Sequence, residues 1–244
     1  MNFPFIKKKN LGEAVHILSD ADLIIKNPNS MLAESLKAAR TNLMYTLADE
    51  EGGKALLVTS AFSAEGKTTT CINIAATLAQ TDAKVLLIDA DMRKPRVHAC
   101  LGVKNTEGLA NHLGGFSDVE AIIKKSPDFN FDYITAGNYP PNPAELLSSA
   151  KCGKFLELVK EQYDYVVIDT PPVNVVADLL SISSHVKNVV FVCRCGVSIT
   201  SEVKKAVDTL EFAHARILGF ITIDSPRKKT QNYSKDYYYQ NNIQ

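Results

Sequence analysis

A lysine and a threonine stand side by side at the end of a short loop, in a pattern suited to holding phosphate groups. Residues 61–68 read Ala-Phe-Ser-Ala-Glu-Gly-Lys-Thr, which fits the phosphate-binding loop with alanine at its first position. There, backbone N–H groups would face the phosphates, Gly66 would allow close approach, Lys67 would supply a cation and the Thr68 hydroxyl would ligate Mg²⁺. The alternative is an ordinary strand, turn and helix with a surface lysine. The predicted nucleotide contacts are Ser63, Ala64, Glu65, Gly66, Lys67, Thr68 and Thr69.

Three aspartates follow apolar stretches and could supply the acidic groups that such a site needs. Asp169 ends the stretch VVI and precedes Thr-Pro-Pro, so we expect it to hold a water of Mg²⁺ beside the loop. Asp89 and Asp91 follow VLLI at alternate positions, which suits a base for an incoming hydroxyl and a metal contact. A purely structural alternative for this pair is a capping aspartate with a surface salt bridge to Arg93. Thr68, Asp91 and Asp169 are therefore the predicted metal ligands.

The surrounding sequence alternates apolar stretches with helical segments. Strands are predicted over 54–60, 84–90, 131–137, 164–170, 188–194 and 216–224. Helices are predicted over 67–80, 142–147, 152–163, 175–184 and 201–215, with short helices within 105–126. Strands that are apolar on both faces and separated by helices indicate an α/β fold: a doubly wound, mostly parallel sheet with helices on both faces. Ligands of such a fold bind at the carboxyl ends of its strands.

Composition limits the class of protein. The 244 residues suit one domain, and 27 Lys plus Arg balance 27 Asp plus Glu, so we expect no nucleic-acid partner. No apolar run approaches the ~18 residues of a membrane helix, and residues 1–28 lack the apolar core of a signal peptide, so a cytoplasmic chain is expected. The five cysteines include no CxxC pair and are predicted to be reduced. Cys193 and Cys195 would share one face of a strand, without forming a metal site.

The two ends of the chain differ from its middle. Residues 1–28 are predicted to form a leader, 29–224 the domain, and 225–244 a polar, flexible tail. A helix over 30–48, capped by Asn29 or Ser30, would begin the domain. Its stripe of Glu34, Lys37 and Arg40 is either a solvated face or an interface. The tail carries the tyrosine cluster Tyr233, Tyr237, Tyr238 and Tyr239.

Together these segments resemble the bacterial tyrosine kinases of capsule and exopolysaccharide gene clusters. LLVTSAFSAEGKTT, VLLIDADMRKP and VVIDTPP look like the three Walker motifs of that family, in the same order and spacing. The segments GLANHLGG and GNYPPNPAELLSS and the tyrosine-rich end also fit. The resemblance implies a P-loop NTPase fold and transfer of phosphate from ATP, with Mg²⁺, to tyrosine. The catalytic residues that it implies are Lys67, Asp89, Asp91, Arg93 and Asp169.

The resemblance also implies how such a kinase is assembled and controlled. The tail tyrosines would be phosphorylated in the active site of a neighbouring subunit of a ring. Glu34, Lys37 and Arg40 match the family's Glu-x-x-Arg-x-x-Arg oligomerisation motif, with lysine at its middle position. The cytosolic C-terminal segment of a transmembrane adaptor would activate the kinase at the inner face of the plasma membrane. Other substrates would be proteins of polysaccharide synthesis.

Some positions depart from the family pattern, and other functions share these motifs. The family usually has proline where Ser63 stands and often glycine where Ala64 stands. Asp224 stands where related ATPases often carry asparagine near the adenine, and we predict that it recognises the base. One alternative is an ATPase switch like the partitioning and division-site proteins, but their loops usually carry an extra lysine near the start, which Ser60-Ala61-Phe62 lacks. A scaffold that only binds nucleotide is a third possibility.

Overall fold

The computed structural model of the protein describes residues 30–224, which form one sheet with helices on both faces. The strands are β1 Lys54–Ser60, β2 Val85–Asp89, β3 Lys124–Lys125, β4 Asp132–Ile134, β5 Tyr165–Asp169, β6 Asn188–Arg194 and β7 Arg216–Ile223. The helices are α1 Met31–Thr46, α2 Lys67–Ala79, α3 Val97–Cys100, α4 Leu109–Leu113, α5 Val119–Ile122, α6 Pro143–Ser148, α7 Ala150–Gln162, α8 Asp178–Ile182 and α9 Thr200–Phe212. The predicted leader 1–28 and tail 225–244 lie outside these residues.

The strands lie in the order β3-β4-β2-β5-β1-β6-β7. Every neighbouring pair is parallel except β3 and β4, which are antiparallel. The predicted doubly wound, mostly parallel sheet is therefore confirmed. Because β1 lies between β5 and β6, the connections that leave β1 and β5 run along the same carboxyl edge of the sheet. That edge is where the loop 61–66 and Asp169 meet.

Alternating residues of the central strands fill two separate cores. Leu56 belongs to the core under α1 and α2, whereas Leu57 belongs to the core under α7, α8 and α9. Both side chains are fully buried. A central strand covered on both faces has no polar side, which explains why these strands are continuous apolar runs. The packed strands form a rigid platform for the loops at their carboxyl ends.

The sequence located β1 and β6 to the residue and missed smaller elements. Helices were expected in 105–126, but Lys124–Lys125 forms β3 against β4. A two-residue strand has no periodicity of its own and is defined only by its partner. The strand predicted over 131–137 ends at Ile134. Strand β6 ends at Arg194, so Cys195 lies beyond it, and the expectation that the CxC pair shares one strand is wrong.

Helix α1 begins directly after its capping residue, Ser30. The Ser30 hydroxyl oxygen accepts a hydrogen bond from the Ala33 N–H at 3.1 Å, so Ser30 is the capping residue. Leu36, Leu43 and Leu47 are buried against α2 and the sheet. The opposite face of α1 is solvated. Among the helices of residues 30–224, none is both long enough and apolar enough to cross a membrane.

Candidate nucleotide-binding and catalytic site

The loop between β1 and α2 has the geometry of a phosphate cradle. Gly66 caps α2 with a φ of +85°, in the left-handed region that favours glycine. A Cβ at this position would lie 2.3 Å from Cδ1 of Ile223, so the end of that side chain on β7 would have to move. Among the side chains of residues 30–224, none caps the first turn of α2. Its backbone N–H groups therefore remain available for an anion, which the helix dipole also favours.

Glu65 braces the loop from inside. Its side chain is buried, its Oε2 accepts from the Phe62 N–H at 2.7 Å, and its Oε1 accepts a short hydrogen bond from the Ser198 hydroxyl. The same Ser198 oxygen accepts from the Arg194 N–H at 2.7 Å. The sequence placed Glu65 among the nucleotide contacts. In the structure its carboxylate contacts the protein, because it holds the loop to the turn after β6.

Arg194 ties the loop to the end of β7. Its Nη1 donates to the Ala64 carbonyl oxygen at 3.2 Å, and its Nε donates to Oδ2 of Asp224 at 2.7 Å. Ala64 and Asp224 both have positive φ, at 65° and 54°. Asp224, the predicted base-recognition residue, therefore lies beside the loop as an ion-pair partner of Arg194. The sequence did not single out Arg194, since an arginine at a strand end carries no signal of its own.

Thr68 and Asp169 meet directly across the site. The Thr68 hydroxyl donates to Oδ2 of Asp169 at 2.6 Å, and the Cys71 thiol donates to Oδ1 at 3.6 Å. Asp169 is 2% exposed. Burial raises the pKa of this carboxyl to about 6, while the charge of nearby Lys67 opposes the rise. The predicted neighbourhood of Lys67, Thr68 and Asp169 is thus present.

Asp89 lies opposite Asp169 in the register of β2 and β5. It is completely buried, and burial followed by the charge of Asp169 raises its pKa well above the usual range. Its Oδ1 accepts from the Asp91 N–H at 3.2 Å, and its Oδ2 accepts from the N–H groups of Arg96 and Val97 at 3.1 and 3.0 Å. Asp89 therefore shapes the loop after β2, whatever it does in chemistry.

Asp91 and Arg93 do not pair with each other. Asp91 accepts from the Lys94 N–H at 3.0 Å through Oδ1. Arg93 instead donates from Nε and Nη2 to the two carboxylate oxygens of Asp178, at 2.7 and 3.0 Å. The structural alternative for the Asp89–Asp91 pair, with a surface salt bridge to Arg93, is therefore wrong in its salt bridge, because Arg93 pairs with Asp178. Asp178 begins α8 and is fully buried. Sequence reasoning missed Asp178, because an aspartate in the first turn of a helix is common and carries no signal of its own.

Two residues of the α1 triplet pair with each other at the surface, and the third contacts α2. Lys37 donates from Nζ to Oε1 of Glu34 at 2.7 Å, and both side chains are substantially exposed. Arg40 turns inward, and its Nη1 donates to the Thr77 carbonyl oxygen of α2 at 3.1 Å. Within residues 30–224, the buried Nε of Arg40 has no hydrogen-bond partner. The three residues thus do not present one uniform surface.

The strand, glycine-capped loop and helix, with Lys67, Thr68 and buried aspartates beside them, define a P-loop nucleotide-binding protein. Residues 63–211 match the family model described as AAA domain. The chain is 39% identical over 87% of its length to CapB of Staphylococcus aureus, assigned as a tyrosine-protein kinase, and covers 91% of that protein. It is 36% identical over 86% of its length to tyrosine-protein kinase YwqD of Bacillus subtilis, covering 89% of it. The chain therefore belongs to the bacterial tyrosine-protein kinases.

Solved structures agree with this assignment. The kinase domain of Escherichia coli tyrosine kinase ETK superposes with a TM-score of 0.79 at 33% identity, over 87% of this chain and 84% of that one. The chimerical protein CapA2B2 gives 0.80 at 33% identity, over 85% and 91%. The septum site-determining protein MinD of Pyrococcus horikoshii, complexed with Mg-ADP, gives 0.60 at 23% identity, over 70% of each chain. At that identity the likeness to MinD concerns the fold alone.

Proposed function

We propose that this chain is an ATP- and Mg²⁺-dependent kinase that phosphorylates the tyrosines of its own tail in a neighbouring copy. One observation carries the proposal. Lys67 and Thr68 meet the buried Asp89 and Asp169 at the carboxyl ends of three adjacent strands, with Asp91 on the loop that Asp89 holds. A nucleotide-binding loop with a second acidic pair beside it suits transfer to an incoming hydroxyl.

The residues present fit a magnesium nucleotide. The uncapped first turn of α2 offers N–H groups to the phosphates, and Lys67 adds a cation there. Thr68, Asp91 and Asp169 would hold Mg²⁺ through oxygen atoms, which are the ligands that this ion prefers. Bound there, the metal would neutralise charge on the β- and γ-phosphates. Two buried carboxyls with raised pKa values support the need for added positive charge at this place.

Asp89 is the proposed acceptor of the tyrosine proton. A free tyrosine has a pKa of about 10, so removing or strongly hydrogen-bonding its proton helps the attack. Burial raises the pKa of Asp89, which makes its carboxylate a stronger base than an exposed one. Its backbone hydrogen bonds fix the direction of both oxygens. Charge neutralisation by Lys67 and the metal contributes more than the base, because phosphoryl transfer depends mainly on electrostatics.

The phosphate acceptors would be Tyr233, Tyr237, Tyr238 and Tyr239. They follow Asp224, which lies beside the loop through Arg194. A random coil of the tail's length would span on the order of 25 Å, enough to reach another subunit. Glu34 and Lys37 on the exposed face of α1 would contribute to a ring, and Asp224 would contact the base. Both assignments rest on the family resemblance and on the exposure of these side chains.

A transmembrane adaptor is the proposed activator. Its cytosolic C-terminal segment would bind near the nucleotide and raise ATP affinity by ordering the site, which places the kinase at the inner face of the membrane. This part of the proposal rests on the family resemblance. Proteins of capsule or exopolysaccharide synthesis would be further substrates. Their phosphorylation would regulate the synthesis and export of the polysaccharide.

The test is phosphate incorporation by the purified full-length chain. It is incubated with γ-labelled ATP and Mg²⁺, with and without the cytosolic C-terminal peptide of the proposed transmembrane adaptor. We expect label on tyrosine, more of it with the peptide, and little in a chain whose four tail tyrosines are phenylalanine. Release of free phosphate with no labelled tyrosine under either condition would contradict the proposal.

That contrary result would favour the second candidate, an ATPase switch of the MinD type, for which the shared fold is the supporting observation. Nucleotide binding with neither transfer nor hydrolysis would instead indicate a scaffold. The loop start Ser60-Ala61-Phe62, which lacks the extra lysine expected of a switch, supports the kinase.

A further inference from the structure

Arg93, on the loop after β2, forms a salt bridge with a buried acid from a different element. Asp178, at the start of α8, accepts from Nε and Nη2 of Arg93 at 2.7 and 3.0 Å. Two parallel hydrogen bonds to a planar guanidinium fix its direction as well as its distance. Asp178 is completely buried, whereas 38% of the Arg93 side chain is exposed. The acid is thus the buried member of the pair, and the arginine is the partly exposed one.

The two residues are brought together by the same pair of strands that builds the catalytic edge. Arg93 lies four residues beyond Asp89 at the end of β2, and Asp178 lies nine residues beyond Asp169 at the end of β5. Asp89 and Asp169 are register partners, and the Ala90 N–H donates to the Asp169 carbonyl oxygen at 2.8 Å. The Arg93–Asp178 pair therefore joins the two connections that carry the acidic residues of the site.

The salt bridge with Asp178 leaves several N–H donors of Arg93 without a partner among residues 30–224. Nε and one hydrogen of Nη2 point at Asp178, and Nη1 makes no hydrogen bond to any other part of residues 30–224. A guanidinium has five N–H donors, so the remaining ones face away from the acid. An arginine held in this way can present donors to an anionic oxygen without first losing side-chain freedom.

We propose that Asp178 is a positioning residue, which holds the guanidinium of Arg93 toward the phosphoryl group during transfer. The inference rests on the proposed kinase function. Asp178 acts only through Arg93, so removing it should slow the transfer step and leave nucleotide binding, which the loop 61–68 provides, almost unchanged. A purely structural buried pair would instead lower thermal stability without a selective effect on kcat.

A double-mutant cycle on the full-length chain tests this. The variants are Asp178→Asn, Arg93→Lys and the double variant, with a peptide spanning residues 229–241 as the acceptor and ADP with Mg²⁺ as the binding probe. We expect each single variant to lower kcat about tenfold, with KM for ATP and affinity for ADP changed less than about twofold. The double variant should be no slower than the worse single one, since both changes break one unit.

Glu50→Gln is the matched control. Glu50 accepts from Arg216 Nη1 at 3.0 Å, but it precedes β1 at the opposite edge of the sheet, so its loss should leave kcat unchanged. If Asp178→Asn does not fold, Asp178→Glu keeps the charge while shifting the carboxylate by one methylene, and it should lower kcat with melting intact. Retained kcat in folded Asp178 variants, or single effects that multiply in the double variant, would overturn the inference. If the wild-type chain labels no tyrosine, the proposed function fails and this inference with it.

Discussion

Burial gives the acidic residues of this site their chemical character. Asp89 is fully buried and Asp169 nearly so, and they lie side by side on the adjacent strands β2 and β5. Burial is the main reason that both pKa values rise, and a like charge adds to the rise in each case: that of Asp169 for Asp89, and that of Asp91 for Asp169. Lys67 lies among them, only 8% exposed. Carboxylates of this kind favour a bound cation, and the Mg²⁺ that accompanies a nucleotide would supply one.

Replacing Lys67 with methionine should separate its charge from its volume. We expect Lys67→Met to lower affinity for ADP with Mg²⁺ by about tenfold or more, because a charge-assisted hydrogen bond contributes about 1.5–3 kcal/mol. Titration calorimetry measures the change. Lys125→Met is the control, since Lys125 is 89% exposed and pairs with Asp132 at the far edge of the sheet. Equal affinity in the two variants would exclude a phosphate contact for Lys67.

The raised pKa of Asp169 predicts a pH dependence of stability in the metal-free chain. In the unfolded chain this carboxyl titrates near 3.8, and in the folded chain near 6. Between these values the folded state keeps a proton that the unfolded state has lost, so stability falls as pH rises through this window. We expect Tm of the metal-free wild type to drop between pH 4.5 and pH 7 by more than that of Asp169→Asn. Parallel melting profiles for the two proteins would disprove this assignment.

At the scale of elements, the loop after β1 is fixed by contacts from two neighbouring elements. Gly66 packs against Ile223 of β7, and Glu65 receives the hydroxyl of Ser198 from the turn after β6. Arg194 joins the loop to Asp224. The phosphate loop is therefore held on the side of β6 and β7, while Asp169 faces it from β5. A disturbance at the root of the tail should reach the loop through Arg194.

Gly66→Ala tests the contact between the loop and β7. We expect a loss of nucleotide binding and a lower free energy of unfolding, since alanine at φ +85° is strained and its Cβ would displace the end of the Ile223 side chain. Gly102→Ala is the control: φ there is +66°, but a Cβ would meet nothing within 4 Å. It should cost only about 1–2 kcal/mol for the left-handed backbone and leave binding intact. Chemical denaturation and ADP titration distinguish these outcomes.

The division of the α1 triplet predicts two kinds of variant. Arg40→Ala should lower the free energy of unfolding by about 1 kcal/mol, because it removes the bond to the Thr77 carbonyl oxygen of α2. Glu34→Ala should leave unfolding nearly unchanged, since exposed pairs such as Glu34–Lys37 contribute little. Sedimentation velocity shows whether Glu34→Ala nevertheless dissociates an oligomer. If it leaves the oligomeric state unchanged, the exposed face of α1 is not an interface.

For the whole molecule, the carboxyl edge of the sheet gathers the loop, the acids and the starting point of the tail. The opposite edge carries a cavity of about 470 Å³ lined by Lys84, Phe129, Phe131, Asp132 and Tyr163, remote from these residues. The chemistry is thus confined to one edge. Asp224, beside the loop, leads directly into the tyrosine-bearing tail.

A mixing experiment tests transfer between copies. A chain ending at residue 224 would have the site but no tail, and full-length Lys67→Met would have the tail but no active site. We expect labelled tyrosine on the Lys67→Met chain only when the truncated chain is added, with an initial rate that depends on the concentration of both. Label that appears only in wild type, at a rate independent of dilution, would show transfer within one chain.

The sequence by itself determined the class of fold, the nucleotide loop and its principal acids. Continuous apolar strands and the pattern at 61–68 are local signals. They were sufficient to predict the site because neighbouring strands of any parallel sheet bring their carboxyl ends to the same edge. Hence Thr68 and Asp169 could be paired although they are 101 residues apart.

Only the tertiary structure decided which residues hold that site in place. Three contacts join distant segments through single side chains. They are the salt bridge of Arg93 with Asp178, that of Arg194 with Asp224, and the hydrogen bond from Arg40 to α2. None has a spacing or a composition that a sequence can reveal. Strand β3 is the same case for the backbone, since its two residues are a strand only because β4 lies beside them. Long-range partners of this kind are set by packing, and packing is a property of the folded chain.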